Sequence, residues 1–134
     1  MTLYVDSSAL IKRYVDEPDS DEAAAHLSSD PSLTTARHTL VEVRRNLARL
    51  LREGPAAAAA SDFAADAARL EIIELDAETC ERAATIAEVT GAKSLDAMHL
   101  AAAQRAGGRA ISFLTFDLRQ AQAARTLGFT VLGA

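Results

Sequence analysis

The sequence is poor in cysteine and has no tryptophan: Cys80 is the single cysteine among 134 residues. One cysteine cannot form a disulfide within the chain, so the sequence is compatible with a reducing cytosol. The first residues lack the basic start and apolar core of a signal peptide. No apolar run approaches the roughly 20 residues of a membrane span. These absences predict a soluble, cytoplasmic protein that does not enter a membrane.

Basic residues are also scarce, since 14 Lys and Arg face 19 Asp and Glu and leave a net charge of −5. An acidic chain is a weak candidate for nucleic-acid binding, because phosphate contacts favour a basic face. The objection loses force if several acids share one metal site, where a cation offsets them. The length fits one domain over residues 1–134, long enough to bury a single core.

Short apolar segments alternate with helical patterns along the whole chain. Gly54, Gly91 and Gly128 are predicted to end helices, Pro55 to lie in the first turn of a helix, and Ser94 to be an N-cap. Alternation of this kind predicts a parallel sheet with helices on both faces, a three-layer α/β domain. Strands are predicted at residues 3–5, 33–35, 72–75, 110–115 and 129–132, and helices at 9–15, 19–27, 40–51, from Pro55, 77–90, 94–107 and 117–127.

Four acids stand where these predicted elements begin or end. Asp6 follows the first strand and Asp117 the fourth, while Glu42 and Asp96 lie in the early turns of helices. Ligand sites in open parallel sheets form beyond the carboxyl ends of the strands, near the point where the strand order reverses. If the first and fourth strands are neighbours, all four acids lie along one edge of the sheet.

Each acid also has a purely structural interpretation, which is the more common one for any single acid. Asp6 can cap the first helix, and Asp117 with Gln120 fits a reciprocal capping box. Glu42 can pair with Arg45 three residues along. Asp96 is a favourable charge at a helix N-terminus.

The surroundings of the acids favour a metal site. Asp96 shares a helix face with His99 and Leu100, and an acid facing apolar surface is costly unless it is paired or bound to metal. Several converging acids would also raise each other's pKa values, a cost that a divalent cation removes. Oxygen ligands suit Mg²⁺ or Mn²⁺. The scattered histidines do not predict zinc, and His38 and His99 are interpreted as packing or hydrogen-bonded residues.

The chemistry expected from this site is phosphodiester hydrolysis. A metal held by Asp6, Asp96 and Asp117 lowers the pKa of a bound water and aligns it with a scissile phosphate, and a second ion would stabilise the leaving oxygen. Glu42 holds a water or acts as the base. Of the four acids, Glu42 is the one expected not to touch metal directly.

Four segments resemble the PIN-domain nucleases, and especially the VapC toxins of bacterial toxin–antitoxin pairs. The matching segments are YVDSSALIK (4–12), LVEVRR (40–45), LDAMHLA (95–101) and LTFD (114–117), and the ending from Ala123 to Val131 also looks like the last helix and strand of the family. The resemblance covers the whole chain in the right order. It places Asp6, Glu42, Asp96 and Asp117 on the four acidic positions of the family, and Thr115 on its hydroxyl position.

The resemblance implies a PIN-like fold with a five-stranded parallel sheet of order 3-2-1-4-5. It also implies an acidic pocket that binds Mg²⁺ or Mn²⁺ and an endoribonuclease activity on single-stranded or structured RNA. A homodimer and inhibition by a cognate antitoxin are further expectations that follow from it. The RNA target does not carry over, because targets differ widely within the family.

Two hydroxyls and several basic residues are supporting candidates. Ser7 and Thr115 lie beside the acids and can bond a carboxylate or a water. For each basic residue taken separately, a solvated face or a local ion pair is the more common role, and Arg45 is expected to serve Glu42. The candidate RNA contacts are Lys12, Arg13, Arg37, Arg44, Arg45, Lys93 and Arg119.

Three other functions fit parts of the pattern. A phosphorylated receiver domain would use Asp76 as the acceptor, but it needs an acid pair after the first strand, and Val5 precedes Asp6. A two-aspartate phosphatase needs an acid where Ser8 stands. A PIN-like module that binds RNA or a partner without cutting is the non-enzyme alternative, although binding alone does not require four acids that repel phosphate.

Overall fold

A computed structural model describes residues 2–134 and contains five strands and seven α-helices over that range. The strands are β1 (Leu3–Val5), β2 (Leu33–Ala36), β3 (Glu71–Ile73), β4 (Ser112–Thr115) and β5 (Thr130–Gly133). The helices are α1 (Ser7–Leu10), α2 (Ser20–Ser28), α3 (Arg37–Leu50), α4 (Glu53–Ala67), α5 (Ala77–Thr90), α6 (Ser94–Ala106) and α7 (Leu118–Thr126). Short 3₁₀ turns lie at Ile11–Arg13 and Gly108–Ala110.

The strands form one parallel sheet in the order β3-β2-β1-β4-β5. β1 is the central strand, with Leu3 opposite Leu33 of β2 and Val5 opposite Leu114 of β4. The predicted strand order is therefore confirmed. Because the chain leaves β1 toward β2 in one half and toward β4 in the other, the order reverses between β1 and β4, where a crevice forms at the carboxyl ends.

Two apolar cores cover the two faces of the sheet. Successive strand residues point to opposite faces, so Tyr4 lies in one core while Leu3 and Val5 lie in the other. The Tyr4 core is completed by residues of α5, α6 and α7, and the Leu3 core by residues of α1, α2, α3 and α4. This arrangement of helices, sheet and helices confirms the predicted three layers.

Several predicted boundaries shift for local reasons. Ser94 is the first helical residue of α6 and not its cap, since Lys93 occupies the cap position without a side-chain bond. Gly54 lies in the first turn of α4 and does not end α3, which stops at Leu50. β3 ends at Ile73 because its partner strand β2 ends at Ala36, where α3 begins.

Two other predicted elements are longer than the observed ones. The first predicted helix ends as α1 at Leu10 and continues only as a 3₁₀ turn to Arg13. β4 begins at Ser112 because the preceding residues form the second 3₁₀ turn. Gly91 ends α5 with φ of 75°, as predicted, in the left-handed region that favours glycine. Within residues 2–134, no helix combines the length and the apolar character needed to cross a bilayer.

Candidate active site

Asp6 leaves the end of β1 and caps α1. Its carboxylate accepts hydrogen bonds from the Ser8 hydroxyl at 2.6 Å and from the Ala9 N–H at 3.2 Å. The residue is only 4% exposed. Burial raises the pKa of Asp6, although the charge of His99 and the hydroxyls of Ser8 and Thr115 oppose the shift. The capping role is confirmed, and it leaves a buried carboxylate that is costly to ionise.

The Ser8 hydroxyl connects the ends of β1 and β4. Besides its bond to Asp6, its oxygen accepts the Phe116 N–H at 3.0 Å and lies 3.2 Å from the Thr115 hydroxyl oxygen. The Thr115 oxygen in turn accepts the Asp117 N–H at 3.1 Å. One continuous hydrogen-bonded path therefore joins the carboxylate of Asp6 to the backbone of Asp117. Of the two predicted hydroxyls, Thr115 belongs to this path.

Asp117 caps α7 at the end of β4. Its carboxylate accepts the N–H groups of Arg119 at 2.8 Å and Gln120 at 3.1 Å. The predicted reciprocal bond is absent, because the buried Gln120 side chain donates instead to the backbone oxygen of Asp96 at 3.0 Å. Gln120 therefore ties the start of α7 to the first turn of α6, which brings Asp117 and Asp96 to the same place.

Asp96 is the centre of the acidic group. It is half-buried in the first turn of α6, and within residues 2–134 its carboxylate has neither a hydrogen bond nor an ion pair. Burial and the negative charges of Asp117, Asp6 and Glu42 raise its pKa, while the charge of His99 lowers it. The other three predicted acids are thus close enough to Asp96 to act on it electrostatically.

Glu42 is bound by an imidazole, not by Arg45. Its carboxylate lies 2.7 Å from Nε2 of His99 on α6, whereas the Arg45 guanidinium donates to Asn46 at 3.4 Å. Burial tends to raise the pKa of Glu42, but the bond to His99, the charges of His99 and His38 and the Ser7 hydroxyl together lower it. The predicted pairing with Arg45 is therefore wrong, and Ser7 acts on Glu42.

Two buried histidines line this part of the site. The Nε2 atom of His38 lies 3.0 Å from the Leu95 carbonyl oxygen and 3.8 Å from Glu42. Its ring packs against that of His99, with centroids 4.1 Å apart and the ring planes inclined by 38°. Burial and the charge of His99 lower the pKa of His38 to about 4. Its Nδ1 atom is buried without a hydrogen-bond partner among residues 2–134.

A cleft of about 410 Å³ opens beside the acids. Asp96 and Asp117 line one part of it, and the exposed side chains of Lys93 and Arg119 line another. No ion pair of Lys93 or Arg119 is present among residues 2–134. The cleft therefore combines carboxylates that attract a cation with two basic groups that remain available to an anion.

The other basic candidates lie in different surroundings. Lys12 forms ion pairs with Asp19 at 2.7 Å and Glu17 at 3.3 Å and lies over the Phe116 ring. Arg37 forms an ion pair with Glu74. The remaining two are the exposed Arg13 on the first 3₁₀ turn and the exposed Arg44 on α3.

Comparison with known proteins places this geometry in a family. The family model described as PIN domain matches residues 3–126. A curated relative, ribonuclease VapC46 of Mycobacterium tuberculosis, is 34% identical over 130 residues, which cover 97% of this chain and 95% of that protein. Ribonuclease VapC35 of the same species is 35% identical over 135 residues, with 97% and 95% covered. The chain belongs to the PIN-domain family.

The solved structures most useful for comparison share the fold of this PIN domain. The sarcin-ricin loop cleaving toxin VapC20 of Mycobacterium tuberculosis superposes with a TM-score of 0.77 at 20% identity, over 98% of this chain and 99% of that one. FitAcB from Neisseria gonorrhoeae gives 0.73 at 18% identity, over 98% and 96%. At these identities the likeness shows the fold alone. It confirms the fold class that the sequence motifs imply.

PIN nucleases generally depend on divalent metal, and the residues present here fit such an ion. The donor set is made of hard carboxylate oxygens, and Asp96 is half-buried beside three other acids without a compensating bond. One group of three side chains within residues 2–134 has its ligand atoms within 4.8 Å of one another, namely His38, Glu42 and His99. Oxygens around an octahedral Mg²⁺ stand about 2.9 Å apart, so direct ligation by all three aspartates requires their carboxylates to draw closer.

Three residues have roles in the site that were not predicted from the sequence, although His99 is hydrogen-bonded, as expected. Ser8 stands where a two-aspartate phosphatase would need an acid, and in the structure it bonds Asp6 and the end of β4. His99 and Gln120 act across elements, on Glu42 and on the backbone of Asp96. The signal for Ser8 was its position two residues after a capping aspartate at a strand end. Asp76, which a receiver domain would phosphorylate, instead caps α5 through the Thr79 N–H.

Proposed function

We propose that this PIN domain is a metal-dependent ribonuclease that cleaves RNA phosphodiester bonds with Asp6, Glu42, Asp96 and Asp117. The observation that carries the proposal is the carboxylate of Asp96. It is half-buried among three other acids, and within residues 2–134 it has neither a hydrogen bond nor an ion pair with a basic side chain. A structural role for Asp96 alone would offset that cost only through its place in the first turn of α6 and the charge of His99. The curated relatives named ribonuclease support the choice of RNA as substrate.

Asp6, Asp96 and Asp117 are the proposed ligands of Mg²⁺ or Mn²⁺. Such an ion, when bound, activates water for attack and neutralises charge on the phosphate. Asp6 is held at its position by Ser8 and Ala9, and Asp117 by two backbone N–H groups. Both carboxylates are therefore oriented before an ion arrives, whereas Asp96 is free to turn toward it.

Glu42 is the proposed base or water-holding group. Its pKa is lowered, so its carboxylate is ionised at neutral pH and can accept a hydrogen bond from a water. Since its side chain is 21% exposed, it reaches solvent at the edge of the acidic group. It is also bound to His99 through Oε1, which leaves the second carboxylate oxygen for a water.

Lys93 and Arg119 are the proposed phosphate contacts. They share the cleft with Asp96 and Asp117, and they form no ion pair in the described part of the chain. A phosphate bound by them would lie next to the carboxylates. Arg13 and Arg44 remain weaker candidates, as do Lys12 and Arg37, whose charges are already paired.

A cognate antitoxin and a homodimeric state complete the proposal. Solved neighbours of this fold include a toxin–antitoxin complex from Klebsiella pneumoniae, which supports an antitoxin as the protein partner. We expect the antitoxin to suppress cleavage, and we expect the reaction to take place in the cytoplasm, where RNA is available. Sedimentation of the purified chain tests the dimer.

The decisive experiment is cleavage of a mixed RNA pool by the purified chain. We expect fragments with Mg²⁺ or Mn²⁺, none with EDTA, and none from Asp6→Asn. Asn keeps a side-chain oxygen to cap α1, so the variant should still fold. Asp62→Asn is the matched control, since Asp62 is an exposed acid on α4 and its neutralisation should leave cleavage unchanged.

Cleavage that survives both EDTA and Asp6→Asn would overturn the four-acid proposal. If the chain bound the RNA pool but did not cleave it with either Mg²⁺ or Mn²⁺, the result would favour a PIN-like module that binds RNA without cutting it. A melting curve gives an independent readout, because an ion that binds only the folded chain raises the melting temperature. That rise should be absent from Asp6→Asn and present in Asp62→Asn.

A further inference from the structure

The imidazole of His99 is hydrogen-bonded through both ring nitrogens. Nδ1 lies 2.7 Å from the Tyr4 hydroxyl, and Nε2 lies 2.7 Å from Glu42 Oε1. The residue is 2% exposed, and its ring meets that of Tyr4 edge-on with centroids 6.0 Å apart. A ring fixed at both nitrogens and packed on its edge cannot rotate without breaking two bonds.

The two partners of His99 determine which nitrogen carries the proton. The Tyr4 hydroxyl carries a proton that it can donate. In the neutral imidazole one nitrogen donates and the other accepts. While His99 is neutral, Nε2–H must face Glu42, since a carboxylate can only accept, and Nδ1 must accept the Tyr4 O–H. The three residues thus form a chain of donors that ends on the carboxylate.

This chain counteracts a repulsion inside the site. Glu42 lies near Asp96, whose pKa it raises, so like charges push its flexible side chain away from the acidic group. A hydrogen bond to a charged group is worth more than one between neutral groups. The bond from His99 therefore offsets much of that repulsion and holds one carboxylate oxygen of Glu42 in place.

A metal bridging His38, Glu42 and His99 would explain the same proximity, but the distances favour the hydrogen bond. Ligands about 2.0 Å from a tetrahedral zinc stand about 3.3 Å apart, whereas Nε2 of His99 and Oε1 of Glu42 are 2.7 Å apart. The Nε2 atom of His38 is also engaged elsewhere, since it lies 3.0 Å from the Leu95 carbonyl oxygen and 3.8 Å from Glu42.

We propose that His99 is a positioning residue that holds the Glu42 carboxylate at the acidic cleft, with Tyr4 fixing the imidazole from its other side. The proposal rests on the ribonuclease function proposed above. His99 touches neither phosphate nor metal in this account. It acts on the reaction through Glu42, so removing it should matter only while Glu42 is a carboxylate.

A double-mutant cycle tests this dependence. We expect His99→Leu to lower kcat by about tenfold to a hundredfold, the scale of a lost bond to a charged group, with KM changed less than about twofold. In a Glu42→Gln background the same substitution should have little further effect. His99→Gln places an amide donor near the position of Nε2 and should restore most of the rate.

Leu100→Ala is the matched control on the same helix. Leu100 is fully buried with an apolar side chain, so its truncation should slow the reaction equally in both backgrounds, if at all. Equal losses for His99→Leu in both backgrounds, or a His99→Gln variant no faster than His99→Leu, would overturn the positioning role. So would a Glu42→Gln variant with full activity, although metal-dependent cleavage would still stand.

A readout independent of RNA separates the two proposals. Nitrogen-15 NMR of the metal-free chain at pH 9 should find the His99 proton on Nε2, and Tyr4→Phe should shift the Nδ1 resonance. A proton on Nδ1 would overturn the positioning role whether or not the chain cleaves RNA. Absence of cleavage by the unmutated chain, with the proton on Nε2, would instead count against the ribonuclease function.

Discussion

Two parts of the acidic site are held in different ways. The carboxylates of Asp6 and Asp117 are bonded by groups at most three residues along the chain. Glu42 is bonded by His99, 57 residues away. The pKa values follow the same division, since burial raises that of Asp6, while the imidazoles lower that of Glu42. In Asp6 the hydrogen bonds to Ser8 and Ala9 only partly offset the effect of burial on the pKa, whereas the distant imidazole keeps Glu42 ionised.

Asp96 belongs to neither part, and its substitution should have the largest effect. We expect Asp96→Asn to reduce RNA cleavage at least about a hundredfold, because a proposed ligand of the metal is lost. The metal-free protein should melt at the same or a higher temperature, since the acid repelled by Asp117, Asp6 and Glu42 is neutralised. Thermal unfolding in EDTA is the check, and a marked loss of stability there would point to a structural role.

Ser8 tests the locally bonded part. We expect Ser8→Ala to lower the free energy of unfolding by about 1–3 kcal/mol, because the buried Asp6 carboxylate and the Phe116 N–H lose a partner. Cleavage should also fall, since Asp6 is no longer fixed. Ser7→Ala is the matched control one residue away, and it should cost less. Similar denaturation midpoints for the two variants would contradict the bridging role of Ser8.

Asp117 separates capping from ligation. Asp117→Ala should lower the free energy of unfolding by about 1 kcal/mol, since two backbone N–H groups of α7 lose their acceptor. Asp117→Asn keeps an acceptor and should be nearly as stable as the unmutated chain. Both should lose cleavage. If Asp117→Asn retained activity, the metal would not need that carboxylate.

The part of the site that contains Glu42 and the imidazoles of His38 and His99 should lose more stability in acid than the part that contains Asp6 and Asp117. This is the smallest of the expected effects. The pKa of His38 is lowered to about 4, while an unfolded histidine titrates near about 6.5. Between these values the unfolded chain binds a proton that the folded chain does not, so stability falls as pH falls through that window.

His38→Gln should remove this part of the pH dependence in urea unfolding followed from pH 7 to pH 4. His26→Gln is its control, on α2 and with a partly exposed ring. Asp6 and Asp96 act in the opposite direction, because acids with raised pKa values lose stability as pH rises through those values. An unchanged pH profile for His38→Gln would contradict the neutral, buried state of this imidazole.

The sequence predicts most of what depends on near neighbours. Alternation of strands and helices, the caps at Asp6 and Asp117 and the stop at Gly91 all follow from local rules. The strand order came from the family resemblance, because hydrophobic patterning alone does not rank strand neighbours.

The prediction fails where partners are far apart in the chain. Ser8 meets Thr115 across 107 positions, and Tyr4 meets His99 across 95. Nothing local marks these pairs, since a serine after a strand or a histidine on an apolar helix face fits many roles. Arg45 was expected to pair with Glu42 because the two are close in sequence. In the structure the imidazole of His99 bonds Glu42 instead. Gln120 likewise bonds a distant group, since its side chain donates to the Asp96 backbone oxygen and does not accept the Asp117 N–H.

Within residues 2–134 the Asp96 carboxylate has no hydrogen bond, and this bears on how the sequences of related proteins are interpreted. Asp6 and Asp117 cap helices, so selection for folding would preserve them even in a descendant that had lost its enzymatic activity. Selection for folding protects the side chain of Asp96 less, because within residues 2–134 it caps no backbone N–H and its structural gain is that of a charge in the first turn of α6. Its retention or loss is therefore the better indicator of whether a sequence of this kind still encodes a working enzyme.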